Sequence, residues 1–147
     1  MNVAEAKANK LLDEFERCWP WLEASLEPVA YVHDGIAYPT HCKLHVWQRI
    51  VTGRAKLWPG KDCVILTEFI DHPSGLRSQN TWLAGGELEE IVAMMPSIEQ
   101  WGAANGCHRQ IGNGRKGWLR AFTGYREFGV RKQKDLLAPG TTPQLHQ

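Results

Sequence analysis

Between Trp82 and Tyr125 the apolar positions change period twice, and the elements they predict frame the rest of the chain. Leu88, Ile91, Val92, Met95, Ile98 and Trp101 recur at steps of three and four, the stripe of an amphipathic helix over 87–104. Asn105-Gly106 is a helix stop, and Ala84-Gly85-Gly86 ahead of the helix reads as a turn. Thr81-Trp82-Leu83 before that turn and 107–111 after the helix have strand character. A strand, a crossover helix and a second strand predict a βαβ unit with the two strands parallel.

The N-terminal pattern is helical. Leu11, Leu12, Phe15, Trp19 and Leu22 form a stripe over 2–26, which Pro20 is expected to kink or divide into two short helices. Residues 28–39 read as a connection with a turn at Asp34-Gly35. A second helix is predicted over 40–52, with Thr40 as N-cap, Gly53 as stop, and Leu44, Trp47, Ile50 and Val51 as its apolar face. Short runs at 55–58, 63–70 and 76–83 alternate as strands of an antiparallel meander. A short helix over 115–122 and a last strand over 125–137 complete the order α-α-β-β-β-α-β-α-β. The expected class is α/β (α+β), a single mixed-sheet domain over 1–137. Its N-terminal helices occupy 1–52, its sheet and crossover helices 53–137, and a polar tail follows at 138–147.

Composition changes this picture little. At 147 residues, 43% hydrophobic and 22% charged, the chain is ordinary material for one core. Charge is segregated: residues 1–100 carry 9 Lys+Arg against 14 Asp+Glu, and residues 101–147 carry 8 against 2. A basic C-terminal third suits an anionic partner or an acidic neighbouring surface. Cys18, Cys42, Cys63 and Cys107 are widely spaced, and neither a Cys-x-x-Cys motif nor a signal peptide is read, so a reduced, cytoplasmic setting is expected. No apolar run approaches the roughly 20 residues of a membrane-spanning helix.

The element order over residues 40–137 resembles the GNAT fold of N-acetyltransferases. The best local likeness is the run from Asn113 to Tyr125, where Asn113, Leu119 and Gly124-Tyr125 match the family's Asn, helix Leu and Gly-aromatic opening of the last strand. Trp82-Leu83-Ala84-Gly85-Gly86, Gly117-Trp118-Leu119-Arg120 and Gly124-Tyr125-Arg126-Glu127 are also similar to short GNAT-like proteins encoded by tailed bacteriophages. The first resemblance implies acetyl-CoA as cofactor, held by backbone amides at the start of the crossover helix. It implies Ala84, Gly85, Gly86 and Asn113 as cofactor-binding positions, and Glu68 and Tyr125 as candidate base and acid.

The residues depart from that pattern. The family's phosphate loop is Gln/Arg-x-x-Gly-x-Gly/Ala; here either Glu87 replaces the second glycine or Ala84 the first. Glu87, Glu89 and Glu90 suit the helix dipole but repel a diphosphate at the same place. The family's helix tyrosine falls on Arg120, whose guanidinium does not give up a proton near neutral pH. The reading is therefore a non-enzymatic structural or accessory protein of a tailed-phage particle, made in the host cytoplasm and placed in the virion, with no cofactor and no metal. A CoA-dependent N-acetyltransferase with a divergent loop is the alternative. Trp19, Trp21, Arg109, Arg115, Arg120 and Arg126 are the expected contacts to other, multi-copy proteins of the assembly. Trp19 and Trp21 lie about 160° apart on a helix, so one of them is expected to remain at the surface or press on a neighbour. Nucleic acid could meet the same basic third, although no nucleic-acid motif accompanies it. His41-x-x-x-His45 with Cys42 has partial metal-ligand spacing, and the glycine-rich basic turn 112–117 could hold an anion.

Overall fold

The computed structural model describes residues 2–113 and 118–142. Arg115, the turn residues 114–117 and the tail residues 143–147 therefore lie outside the described residues. A four-stranded sheet divides two layers of helices. In order across the sheet, its strands are β3 (Lys56–Pro59), β4 (Cys63–Asp71), β5 (Arg77–Gly86) and β6 (Arg109–Gly112). β3, β4 and β5 form the antiparallel meander, and β5 pairs β6 in parallel through α3 (Leu88–Ala104), as the sequence pattern predicts.

Alternation along β4 sorts the core into two faces. Val64 and Leu66 join Phe15, Cys18, Leu22 and Val46 beneath α1 (Val3–Leu26) and α2 (Lys43–Val51). Cys63 and Ile65 join Ile91, Met95 and Ile98 of α3 on the other face. The register slips between Leu66 and Thr67, which leaves Trp82 on β5 without an opposite residue, as in a β-bulge. Trp82 packs on the α1–α2 side, where the Arg49 guanidinium covers its ring at 4.9 Å and the His41 ring meets it edge-on at 4.8 Å.

Several expectations are corrected. α1 is one 24-residue helix through Pro20, because the ring projects from an exposed position and removes a single backbone donor. α2 begins at Lys43 with Cys42 as N-cap, in a capping box with His45, while Thr40 Oγ1 instead bonds His41 Nδ1 at 2.9 Å. Of its expected face Ile50 is buried and Trp47 packs against the core, whereas Leu44 and Val51 are exposed and Val46 is buried in their place. Residues 31–38 hold a hairpin, β1 (Tyr31–His33) and β2 (Ile36–Tyr38), rather than a plain connection. Asp34 and Gly35 both adopt positive φ, +49° and +76°, as a two-residue hairpin turn requires. Ala84-Gly85-Gly86 is no turn: β5 continues through it, paired with Ile65, Val64 and Cys63. The last strand expected over 125–137 is not formed. That segment carries no regular structure, and Phe128, Val130 and Leu136 stay exposed, without a strand to pair with or a core to enter.

All seven tryptophans are half-buried. Trp19 and Trp21 flank the buried stripe of α1 from opposite sides, and both pack against its core cluster. Trp58 and Trp101 meet edge to face at 5.4 Å, and Phe69 stacks on Trp101 at 5.1 Å. Among the described residues, no helix is long and apolar enough to cross a membrane.

Candidate functional site

An open cleft of about 1390 Å³ lies where β6 stops short of β5. β6 pairs only Ser78–Thr81 of β5, so the two strands part beyond Thr81. The polar run Ser78-Gln79-Asn80-Thr81 sits inside the sheet, and alternation turns Gln79 and Thr81 toward α3. Gln79 is 1% exposed and donates from Nε2 to the Ile98 carbonyl at 2.9 Å and to Gln110 Oε1 at 2.6 Å. Gln110 Nε2 in turn donates to Thr81 Oγ1 at 2.9 Å. Gln79 Oε1 is the one buried side-chain oxygen or nitrogen among the described residues that has no partner. Gly102 of α3 makes room for this ladder: a Cβ there would stand 2.5 Å from Gln79 Nε2.

The walls are apolar and aromatic. Ile91 and Met95 of α3 face Trp118 of α4 (Trp118–Ala121), Phe122 and Tyr125. Tyr125 Oη donates to the Glu99 carboxylate, and burial together with that bond pushes the phenol's pKa well above its ordinary value. Held in this way, Tyr125 is a poor proton donor near neutral pH.

From Thr123 the chain crosses the molecule as a strap without regular structure. Phe128 lies under the Arg109 guanidinium at 5.3 Å. The far end is tied to the hairpin, where Gly140 N donates to Asp34 Oδ2 at 2.8 Å and His33 Nε2 bonds the Thr141 carbonyl. Arg109 also donates from Nε to Ser78 Oγ at 2.8 Å. Arg120 and Arg126 are exposed on the cleft rim, with no hydrogen bond or ion pair among the described residues.

The sequence-derived candidates do not converge. Glu68 lies on the opposite face of the sheet from Tyr125, where it accepts from Arg49 Nη1 at 3.0 Å and Asn80 Nδ2 at 3.1 Å. Gly85 and Gly86 are packing positions. A Cβ on Gly85 would meet the Trp21 carbonyl oxygen, and one on Gly86, at φ +101°, would run into the backbone of Asp62 and Cys63. Ala84 packs under the α3 face and Asn113 is exposed at the end of β6. Glu90 Oε1 and Oε2 accept from Asp62 N at 2.8 Å and Lys61 N at 3.1 Å, so the first turn of α3 is fastened to the β3–β4 turn. His45 Nδ1 accepts from Cys42 N in the α2 cap, and among the described residues no group of three His, Cys, Asp or Glu side chains could hold a metal.

Comparison with protein-family models, curated proteins and solved structures finds no match to this chain. The residues that build the cleft, Gln79, Glu99 and Gln110, were not singled out by the sequence pattern. For Gln79 the signal is the unbroken polar run 78–81 in a strand that has a neighbour on both sides; Glu99 and Gln110 carry none in the sequence.

Proposed function

We propose that this chain is a non-catalytic docking protein with a GNAT-like core, a structural or accessory component of a tailed-phage particle. It would be made in the host cytoplasm and reside in the virion among other proteins of the assembly. The phage assignment draws on the sequence likeness. The observation that carries the non-catalytic part is the packing of Gly85 and Gly86. Where a phosphate loop needs free backbone amides, these glycines are strand residues paired to β4 and pressed on Trp21 and Asp62. The carboxylates of Glu87, Glu89 and Glu90 stand at the same helix start, with Glu90 already fastened to the neighbouring turn. The residues present therefore do not fit the pyrophosphate of acetyl-CoA.

A CoA-dependent N-acetyltransferase remains the second reading, favoured by the cleft at the parting of two parallel strands joined by α3. Calorimetric titration with acetyl-CoA separates the two. Docking without chemistry expects binding weaker than about millimolar, or roughly 4 kcal/mol. Micromolar binding together with acetyl transfer to an amine or peptide would reverse the assignment. Co-sedimentation of the chain with particle proteins, weakened by Trp19→Ala or Trp21→Ala in a variant whose urea unfolding is unchanged, would support the docking face, because both rings also pack against the core.

A further inference from the structure

We infer that the cleft between β6, α3 and the strap receives an extended, acidic segment of a partner protein. This rests on the docking reading and names the chemistry of the partner. Three observations converge on it. First, β6 is the outermost strand of its sheet, and the strap passes it without forming a strand. A sheet edge is a template for an added strand, and four residues of β6 offer an edge about 13 Å long. Second, the cleft wall beside that edge is apolar and aromatic, with Ile91, Met95, Trp118 and Phe122 able to take alternate side chains of an added strand. Third, the charge around the opening is one-sided. Arg109, Arg120, Arg126 and Arg131 line it, against Glu127 and a Glu99 already engaged by Tyr125.

The partner segment must therefore bring backbone donors and acidic side chains together. Alternation along an extended chain then sends its other side chains toward Ile91, Met95, Trp118 and Phe122. Nucleic acid would satisfy the arginines but has no peptide backbone to pair with an edge strand.

The test uses the full chain and fluorescence anisotropy with three labelled probes: a short peptide of alternating glutamate and valine, its lysine–valine counterpart, and a short oligo-dT. The glutamate–valine peptide is expected to bind, more weakly as salt rises, with the lysine peptide and oligo-dT at least about tenfold weaker. Arg120→Glu with Arg126→Glu, both at exposed positions, should weaken it about tenfold or more. No binding of the acidic peptide, equal binding of the lysine peptide, or oligo-dT binding that is lost in the same arginine variant would overturn the inference. Co-sedimentation with particle proteins that survives such a failure would leave the docking reading standing. Micromolar acetyl-CoA binding with acetyl transfer would remove both.

Discussion

The carbonyl oxygen of Trp21 lies 2.7 Å from the point where a Cβ on Gly85 would stand. A helix backbone and a strand backbone are thus in direct contact, with Ser25 Oγ beside them accepting from Ala84 N at 3.2 Å. Neither backbone can yield cheaply. Gly85→Ala is therefore expected to destabilise the fold by about 1–3 kcal/mol. Gly86→Ala should cost at least as much, since its φ of +101° adds strain to the clash with the β3–β4 turn. Urea unfolding measures both. Unchanged stability would return the two glycines to the pool of ligand-binding candidates.

Pro20 interrupts the backbone ladder of α1 at an exposed position, with no compensating turn. Pro20→Ala restores the missing donor to the Glu16 carbonyl and should raise stability by about 1–3 kcal/mol. A thermal melt that is unchanged or lower would show that the proline stabilises α1 through some contact its ring makes.

How far the sequence reveals this fold depends on which period is local. The α3 stripe and the runs on either side of it predict the parallel β5–β6 pair, because a helix long enough to cross the sheet leaves few other topologies. Val64, Ile65 and Leu66 are legible as a central strand from their branched side chains alone. The glycine pair misleads: Gly85-Gly86 has the composition of a turn, and only the approach of Trp21 and Asp62 explains it as strand. Residues 125–137 alternate like a strand, but pairing is a tertiary property, and the segment finds its contacts singly, at Glu99 and Arg109, before Gly140 beyond it reaches the hairpin. The site was partly hidden for a related reason. Arg120, Arg126 and Tyr125 are visible as charges and an aromatic, whereas Gln79 and Gln110 matter only because two strands and Gly102 bring them together.

The Cys63 thiol faces Met94 Sδ at 3.4 Å and the Glu90 carboxylate, and burial with that bond pushes its pKa from 9.0 up to about 12. A folded value above the unfolded one makes its stabilisation complete below pH 9, with progressive loss between pH 9 and about 12. Glu90 has the opposite sign. Its bond to Cys63 first, then those to the Asp62 and Lys61 amides, lower its pKa from 4.5, so its contribution is present above that value and is lost as pH falls through the lowered one. Glu90→Gln should reduce the acid dependence, to which Asp71 beside Arg77 also contributes, and Cys63→Ala the alkaline one, to which Tyr125 also contributes, in pH-resolved unfolding. Iodoacetamide at pH 8 should label exposed Cys42 and spare buried Cys18 and Cys63, as read by mass spectrometry.

Asp34 and Gly140 join the strap to the hairpin across 106 residues of chain. Because the strap carries little buried apolar surface, cutting this tie should loosen it locally rather than unfold the domain. Asp34→Gly, which keeps the positive φ of the hairpin turn, is expected to lower global stability by less than about 1 kcal/mol. It should also speed tryptic cleavage after Arg126, Arg131 and Lys134. Equal cleavage rates in both proteins would show that the hairpin does not restrain the strap.

Arg49 links three groups on the α2 side: it donates to Glu68 at 3.0 Å, covers Trp82 at 4.9 Å and, through Glu68, meets Asn80. Glu68 is the more enclosed partner, with 18% of its side chain exposed against 38% for Arg49. Removing Arg49 leaves a half-buried carboxylate supported by Asn80 alone, so Arg49→Ala should cost about 1–2 kcal/mol, including the lost ring contact. Glu68→Gln keeps the acceptor for Asn80 and loses only the charge, and should cost less. A double-mutant cycle between Arg49→Ala and Glu68→Gln should return a coupling of about 0.5–1.5 kcal/mol, measured by urea unfolding. This outcome bears on function, because a carboxylate committed to a structural pair is not free to take a proton from an amine. Zero coupling, combined with acetyl transfer that disappears in Glu68→Gln, would identify Glu68 as a base and reopen the enzymatic reading.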